Sequence, residues 1–388
     1  MQALEGLRVL DLATVFAGPG AARHLGDFGA DVIKVEPPGG DGTRRMTWFP
    51  PGDNDSYAWK LLARNKRCLC LDLKSERGHA LLVRLVRHAD VLIENGRPGT
   101  LERLALGPDV LLGHNPRLVV LRVSGFGQTG PYAQRPGFAT IAEAMSGFAA
   151  INGEPDGGPL LPPIALTDEV TAIVGAFAVL AALRHRDHSG EGQVIDANLL
   201  ESMVQLMGPL PSAAAHLGYD QPRLGSGIPY SVPRGTFRCA DGRWVAISAS
   251  AESVAARLCE LLGVAGDPRF ATFSDRVRNR AALDAIVHDW IAARTSSEVV
   301  AAFEEAQAAI GPVSTMRELL ADEHVRARGV FVEVDGVVMP GPVVRLSRTP
   351  GEIRHAGRPI DADAEALLAA LDEHDAWPGT TLPPAAQR

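Results

Sequence analysis

Cysteine is scarce in this chain of 388 residues, and its placement excludes two classes of protein. Cys68, Cys70, Cys239 and Cys259 form no C-x-x-C pair and no zinc-ligand spacing. Neither a disulfide framework nor a zinc site is therefore predicted. Cys68 and Cys70 alternate within an apolar stretch, which indicates small apolar side chains on one side of a strand.

Basic residues are fewer than acidic ones, with 38 lysines and arginines against 46 aspartates and glutamates, so the formal net charge is −8. A nucleic-acid-binding surface needs a basic patch, so no nucleic-acid partner is expected. The N-terminus has no basic start of the kind that opens a signal peptide. We find no apolar run of the ~18–20 residues that span a bilayer, so no membrane partner is expected. These absences predict a cytoplasmic protein with reduced thiols.

Familiar catalytic and cofactor signatures are missing as well. The histidines form no H-E-x-x-H or similar metal pattern, so no metal site is predicted. There is no Walker motif and no G-x-S-x-G elbow. Gly18–Gly20 follow a predicted strand and open a helix, but Arg23 stands where a dinucleotide fingerprint has glycine. The start of that helix can still face a polar ligand.

The first half of the chain alternates strands and helices, which predicts an α/β fold with a mostly parallel sheet covered by helices. The predicted strands are apolar stretches that include 7–12, 31–36, 67–73, 90–95 and the stretch from 117. Proline, glycine and serine become dense from Pro209 to Pro233, which favours a domain boundary. Two hairpins are predicted beyond it, at Asp241-Gly242 and Asp335-Gly336.

Asp168 and Glu169 stand in front of a long apolar stretch that ends at Gly190, a predicted helix stop. A carboxylate at a helix start is stabilised by ~0.3–1 kcal/mol. Thr167 is an alternative cap, with both carboxylates in the first turn. From the residues alone, a capping role and a catalytic role for Asp168 stay open.

Several blocks of the sequence, from about Leu4 to past Arg345, resemble the class III CoA-transferases, the family of formyl-CoA transferase and carnitine CoA-transferases. The blocks are LEGLRVLDLATVFAGPGAARHLGDFGADVIKVEPPGGDGTR, NKRCLCLDLK, DVLIENGRPGTLERLAL, GFGQTGPYAQRPGF and DEVTAIVGAFAVLAALRHRDHSGEGQVIDANLLESM. The last block is the most specific, because it places an aspartate before a helix that ends in R-x-x-x-G-x-G-Q.

The resemblance implies an acyl-CoA:carboxylate CoA-transferase with Asp168 as its catalytic nucleophile. Acyl-aspartyl anhydride and aspartyl-CoA thioester intermediates would form on Asp168. Coenzyme A would be a substrate and carrier, and no cofactor would be required. Glu169 would keep a capping or solvated role.

The resemblance also implies CoA contacts by position. The residues concerned are Val15, Phe16, Leu71, Lys74, Asn95, Gly96, Arg103, Arg135 and Phe138. Phe16 replaces a glutamine of formyl-CoA transferase, so the hydrogen bond of that glutamine is not carried over. Lys74 suits a phosphate at the nucleotide end.

The implied architecture is an interlocked homodimer of Rossmann-like subunits with a smaller α+β domain. The large domain is expected at 1–208, a linker at 209–223, the small domain at 224–313, and a linker and returning segment at 314–388.

Three departures from the family refine the predicted activity. SVPRG at 231–235 runs directly into a predicted strand, which disfavours oxalate or formyl specificity. The segment at 357–363 lacks a usual histidine. The stretch at 135–144 lacks the histidine of the racemase branch, which disfavours α-methylacyl-CoA racemase because stereoinversion needs two proton-transfer groups. A racemase or isomerase remains the alternative, and a CoA-binding protein without turnover is the third reading.

Overall fold

The computed structural model describes residues 2–46 and 48–379, which form two compact units. Unit 1 contains residues 1–146, 162–207 and 328–388, apart from those not described. Unit 2 contains residues 147–161 and 208–327. The chain therefore leaves and re-enters unit 1 twice.

The strands lie in three sheets. They are β1 (Arg8–Asp11), β2 (Asp31–Glu36), β3 (Lys66–Cys70), β4 (Val91–Glu94), β5 (Val119–Ser124), β6 (Val194–Asn198), β7 (Arg234–Arg238), β8 (Trp244–Ser248), β9 (Ile310–Pro312), β10 (Phe331–Val334) and β11 (Val337–Pro340). A six-stranded parallel sheet has the order β3-β2-β1-β4-β5-β6, and two small antiparallel sheets hold β7-β8-β9 and β10-β11.

The helices alternate with the strands in unit 1 and dominate unit 2. They are α1 (Ala17–Asp27), α2 (Tyr57–Leu62), α3 (Glu76–His88), α4 (Thr100–Arg103), α5 (Pro108–His114), α6 (Ala139–Met145), α7 (Phe148–Ile151), α8 (Leu166–Ser189), α9 (Leu199–Leu206), α10 (Leu210–Leu217), α11 (Glu252–Leu261), α12 (Phe273–Arg278), α13 (Arg280–Ala292), α14 (Ser296–Glu305), α15 (Met316–Ala321), α16 (Glu323–Ala327) and α17 (Ala364–His374). Short 3-10 helices lie at Gly42–Arg45 and Pro268–Phe270.

Helices cover the parallel sheet on both faces, so its strands are largely buried. Successive residues of a strand point to opposite faces, so Val9 and Leu10 of β1 enter different cores. One core contains side chains of α1 and α8, and the other contains side chains of α3, α5 and α17. The mixed α/β fold with a parallel sheet, predicted from the alternating pattern, is confirmed.

Helix α8 packs closely against α1 through small residues. A Cβ on Gly20 would lie 2.8 Å from Ala172 Cβ, and a Cβ on Gly175 would lie 3.1 Å from a methyl of Leu121. The helix ends at Gly190, whose φ of +80° gives the predicted left-handed stop. These glycines therefore let α8 lie close to α1 and to Leu121 of the sheet.

The expectation that no segment is long and apolar enough to cross a bilayer is wrong for α8. Its 24 residues pass that test of length and composition, because the apolar residues, alanine included, outweigh the threonine and glycine residues between them. One such helix is weak evidence for a membrane span, since core helices pass the same test. Here Ala172, Ala176 and Val179 are buried within unit 1.

Unit 2 has its own apolar core, formed by β7 and β8 and by α11, α13 and α14. The predicted hairpin at Asp241-Gly242 is confirmed, because β7 and β8 pair antiparallel around this turn. The second predicted hairpin, at Asp335-Gly336, joins β10 to β11 in unit 1.

The boundaries of the units differ from the predicted domains. The second unit begins at Gly208 rather than at Leu224, extends to Ala327, and includes the earlier segment 147–161. The predicted linker at 209–223 contains helix α10. Proline density misled the prediction, since proline is well tolerated in the first turn of a helix. Residues 380–388 of the predicted C-terminal segment lie outside the described residues.

Candidate active site

A cavity of about 560 Å³ opens at the carboxyl ends of the central strands of unit 1. Its walls come from the loops after β1, β4 and β5 and from the starts of α6, α8 and α9. The strand order reverses between β1 and β4, where the crossovers leave in opposite directions. Open α/β sheets bind ligands at such a reversal, so the topology and the cavity indicate the same place.

The loop after β1 forms one wall with Thr14, Val15 and Phe16. Val15 has a φ of +67°, which is rare for a β-branched residue and costs roughly 1–3 kcal/mol. Asn95, at the end of β4, holds the loop from the side. Its Oδ1 accepts from Thr14 N at 2.8 Å, and its Nδ2 donates to Thr14 O at 2.6 Å.

Asp168 projects into this cavity from the first turn of α8. The helix has Ala165 as its N-cap residue, and no side chain caps it. The alternative that Thr167 is the cap is wrong, because its hydroxyl donates to Glu143 Oε1 at 2.8 Å. Within the described residues, the Asp168 carboxylate accepts no hydrogen bond, so its oxygens are open to the cavity.

The pKa of Asp168 is raised to about 6. Burial is the largest cause, because the half-buried carboxylate loses hydration, and the negative charges of Glu143 and Glu169 add to it. Glu143 lies on α6 and is itself buried. A carboxylate that is ionised near pH 7 but not stabilised by hydrogen bonds is suited to nucleophilic attack.

The Glu169 carboxylate does not line the cavity and pairs with side chains of α1. Its Oε1 lies 2.5 Å from Arg23 Nη2 and 2.9 Å from His24 Nε2. Burial would raise the pKa of Glu169, but the hydrogen bond from His24 and the charges of Arg23 and His24 outweigh it and lower the pKa to about 2. The expectation gave Glu169 a capping or solvated role; its half-exposed side chain also ties the start of α8 to α1.

Two glycines of the cavity wall approach each other closely. A Cβ on Gly125, after β5, would lie 2.7 Å from Gly137 Cα, and a Cβ on Gly137 would lie 2.7 Å from Gly125 Cα. Only glycine fits at either position without moving backbone. This contact brings the segment before α6, with Phe138 and Thr140, to the cavity.

A second cavity of about 540 Å³ lies in unit 1 at the start of α3. Lys74 and Arg103, two of the predicted CoA contacts, line it together with Ser75 and His79. Both cationic side chains are exposed, and Arg103 Nη2 donates to Thr100 Oγ1 at 3.0 Å. Two cations at one cavity could meet a phosphate.

The predicted site residues thus divide into three groups. Five of them meet at the first cavity: Val15, Phe16, Asn95, Phe138 and Asp168. Lys74 and Arg103 meet at the second cavity. The others line neither cavity: Leu71 is buried in the core, Gly96 N donates to Glu94 Oε2 at 2.7 Å, and the Arg135 guanidinium stacks 3.7 Å from the Tyr132 ring centroid.

Glu143, Arg23 and His24 were missed from the sequence. Each lies in a helix with the spacing of an ordinary amphipathic surface, and their partners are 24 to 146 residues away along the chain. Glu143 could have been noticed from the sequence, because it is a charged residue within the otherwise apolar stretch of α6.

Among the described residues, no cluster of three or more histidine, cysteine or acidic side chains could hold a metal ion.

Comparison with known proteins finds one family and several relatives that match nearly the whole chain. The model of CoA-transferase family III matches residues 4–363. The succinyl-CoA–L-malate CoA-transferase beta subunit of Chloroflexus aurantiacus is 41% identical over 95% of this chain and 94% of its own length. The succinate–glutarate CoA-transferase of Agrobacterium fabrum is 38% identical over 95% of this chain and 96% of its own.

A solved structure agrees with the fold. The crystal structure of a CaiB/BaiF family protein from Brucella suis has a TM-score of 0.85 and 34% identity, and it covers 96% of this chain and 100% of that protein's chain. The similarity in sequence and in structure therefore extends over nearly the whole molecule.

Proposed function

Because the chain belongs to CoA-transferase family III and is a CoA-transferase acting on acyl-CoA and carboxylate substrates, we propose that Asp168 is its nucleophile. The observation that carries the proposal is the half-buried carboxylate of Asp168, which accepts no hydrogen bond from the part of the chain that the structure describes and faces a cavity where the strand order reverses. No other carboxylate lines that cavity among the described residues.

The reaction runs through two covalent intermediates. The Asp168 carboxylate attacks the thioester carbonyl of the donor, forming an acyl-aspartyl anhydride and releasing CoA thiolate. The thiolate attacks the aspartyl carbonyl, giving an aspartyl-CoA thioester and the free donor acid. The acceptor carboxylate then attacks this thioester, and the returning thiolate takes the new acyl group and restores Asp168.

The surroundings of Asp168 favour the first attack. At neutral pH a carboxyl group with a pKa of about 6 is mostly ionised, and burial makes its charge more reactive than in water. The N–H group of Asp168, in the first turn of α8 beside the cavity, has no acceptor in the described chain. It is a donor suited to the negative oxygen that develops on an attacked carbonyl. The steps need no metal or redox cofactor.

We assign the two cavities to the two ends of the substrate. Lys74 and Arg103 would meet the phosphates of CoA, while Val15, Phe16, Asn95 and Phe138 would surround the thioester end. Gly96, Leu71 and Arg135 remain predicted contacts from the family resemblance. The named substrates of the relatives support a short dicarboxylate, such as succinate, as donor.

We also propose an interlocked homodimer. The face of α8 that unit 1 leaves uncovered is apolar, with Phe177 71% exposed beside Ile173 and Leu180. A groove of about 290 Å³ continues this face toward Val343 and Val344, which are exposed too. So large an apolar patch indicates an interaction surface. Phe177→Asp should reduce the fraction of dimer that assembles on expression, measured by light scattering, whereas Leu217→Asp in unit 2, an apolar position that is 80% exposed, should not.

The test of the nucleophile is a covalent adduct. The protein is incubated with succinyl-CoA and with a panel of other acyl-CoA donors, treated with hydroxylamine, and digested for mass spectrometry. Modification of the peptide containing Asp168, and its loss in Asp168→Asn, is the expected result. No adduct from any donor, together with exchange of the α-proton of an acyl-CoA in deuterated water, would contradict transfer and favour the racemase alternative.

A further inference from the structure

Two fully buried lysines lie beneath the loop that forms the wall of the Asp168 cavity. Lys34 of β2 is 1% exposed, and Lys66 at the start of β3 is 0% exposed. Neither lines the cavity, and neither takes part in the reaction proposed above. A buried ammonium group costs free energy unless it is well paired, so their positions call for a physical reason.

Lys66 joins the strand before the loop to the helix after it. Its Nζ donates to Asp11 Oδ2 at 2.8 Å and to Pro19 O at 2.7 Å. Asp11, the last residue of β1, accepts from Ala13 N at 3.1 Å through its other oxygen. One ammonium therefore fixes both ends of the segment 12–18.

Lys34 joins the same loop to a second wall of the cavity. Its Nζ donates to Ala13 O and lies 3.4 Å from Asp41 Oδ2, an oxygen that has no hydrogen bond in the described chain. Asp41 is anchored in turn, because its Oδ1 accepts from Thr43 N at 2.8 Å. The 3-10 helix that begins there leads to Met46, which lines the cavity.

The loop between these anchors has a conformation that needs support. Val15 is in the left-handed region, which a β-branched side chain disfavours. Such a residue persists only where its surroundings over-determine it. The two lysines, Asp11 and Asn95 supply hydrogen bonds that a sheet ladder would otherwise provide.

We infer that Lys34 and Lys66 are positioning residues for acyl transfer, which hold the loop with Val15 and Phe16 in place beside Asp168. The inference rests on the proposed function of Asp168. The lysines act through the loop and not on the substrate. A loop displaced by about 1 Å would lower the rate of attack by ~10- to 100-fold.

The variants keep the buried charge balanced. Lys34→Met with Asp41→Asn removes one cation and one anion, and the amide oxygen that replaces the carboxylate can still accept from Thr43. Lys66→Met with Asp11→Asn is the second variant, should the first fail to fold. The matched control is Arg64→Met with Asp27→Asn, an equally buried pair at the far end of α1 whose closest atoms are 2.5 Å apart.

Three measurements distinguish positioning from general damage. In single turnover with an acyl-CoA donor, adduct formation on Asp168 should slow by about 10- to 100-fold in the lysine variants. The Kd of free CoA should stay within about threefold, because the phosphate end lies at another cavity. Hydrogen exchange of the peptide 12–17 should become faster in both variants and stay unchanged in the control.

Two outcomes would overturn the positioning role of Lys34 and Lys66. Adduct formation within about twofold of the parent protein in both variants, or the same loss in the control pair, would overturn the inference. If the parent protein forms no adduct with any donor, the proposed function fails, and the exchange measurement alone decides about the loop. Unchanged exchange at 12–17 in both variants would then overturn the role of the lysines.

Discussion

Asp168→Asn should abolish transfer and at the same time make the protein more stable. The folded protein raises the pKa of Asp168 from 3.8 to about 6, through burial first and then through the charges of Glu143 and Glu169. A raised pKa of an acid means that the folded state disfavours the charged form. Asparagine has nearly the same shape and carries no charge, so it does not incur the free-energy cost of a buried negative charge.

The sign and the size of this change in stability follow from the linkage between protonation and folding. Between pH 3.8 and about 6 the folded state binds more protons than the unfolded state, so stability falls as pH rises through this window. Above pH 6 the destabilisation is complete. One pH unit of pKa difference corresponds to about 1.4 kcal/mol, which gives an upper bound of roughly 3 kcal/mol for Asp168. We expect a gain on the order of 1–3 kcal/mol for asparagine at pH 7.5.

The assay is urea unfolding of both proteins at pH 7.5 and at pH 4, followed by circular dichroism. The midpoint of Asp168→Asn should exceed that of the parent protein at pH 7.5, and the difference should shrink toward zero at pH 4. Asp220→Asn, at an exposed position in unit 2, is the control and should change neither midpoint. An equal or lower midpoint for Asp168→Asn at pH 7.5 would refute the idea that the fold is strained by this charge.

Three further results are expected. Glu169→Gln removes a charge that raises the pKa of Asp168. The acid limb of kcat/KM for the acyl-CoA should therefore move to lower pH, and no movement would contradict the coupling. Lys74→Met should raise the KM for acyl-CoA by about tenfold with kcat nearly unchanged, whereas Arg77→Met, three residues later in α3 and outside the cavity, should not. Gly137→Ala forces a Cβ to 2.7 Å from facing backbone. Thermal unfolding should show a loss of about 1–3 kcal/mol, and an unchanged Tm would show that the loop yields.

The local pattern was sufficient for most of the elements of unit 1. Strand β2 at Asp31–Glu36 has the predicted bounds, and the hairpin turns and the end of α8 at Gly190 were found from their glycines. These features depend on side chains that are near in sequence. The boundaries of unit 2 were misplaced, because the segment 147–161 joins it across a long stretch of chain and no local signal marks that.

The site was predicted in part for the same reason. Asp168, Val15 and Phe16 lie in motifs that the family resemblance identifies, whereas Glu143, Arg23 and His24 do not. From the residues around Asp168 alone, capping and catalysis stay open. The different environments of the two carboxylates come from tertiary contacts, because Glu143 of α6 acts on Asp168, whereas Arg23 and His24 of α1 act on Glu169.

The α/β class and the family are readable from the chain alone, because periodicity and motifs depend on neighbouring residues. The protonation behaviour of Asp168 is set by the folded molecule. Two adjacent carboxylates of one helix turn receive opposite pKa shifts, upward for Asp168 and downward for Glu169. Burial and distant charges cause this difference, and both exist only once α1, α6 and α8 have packed together.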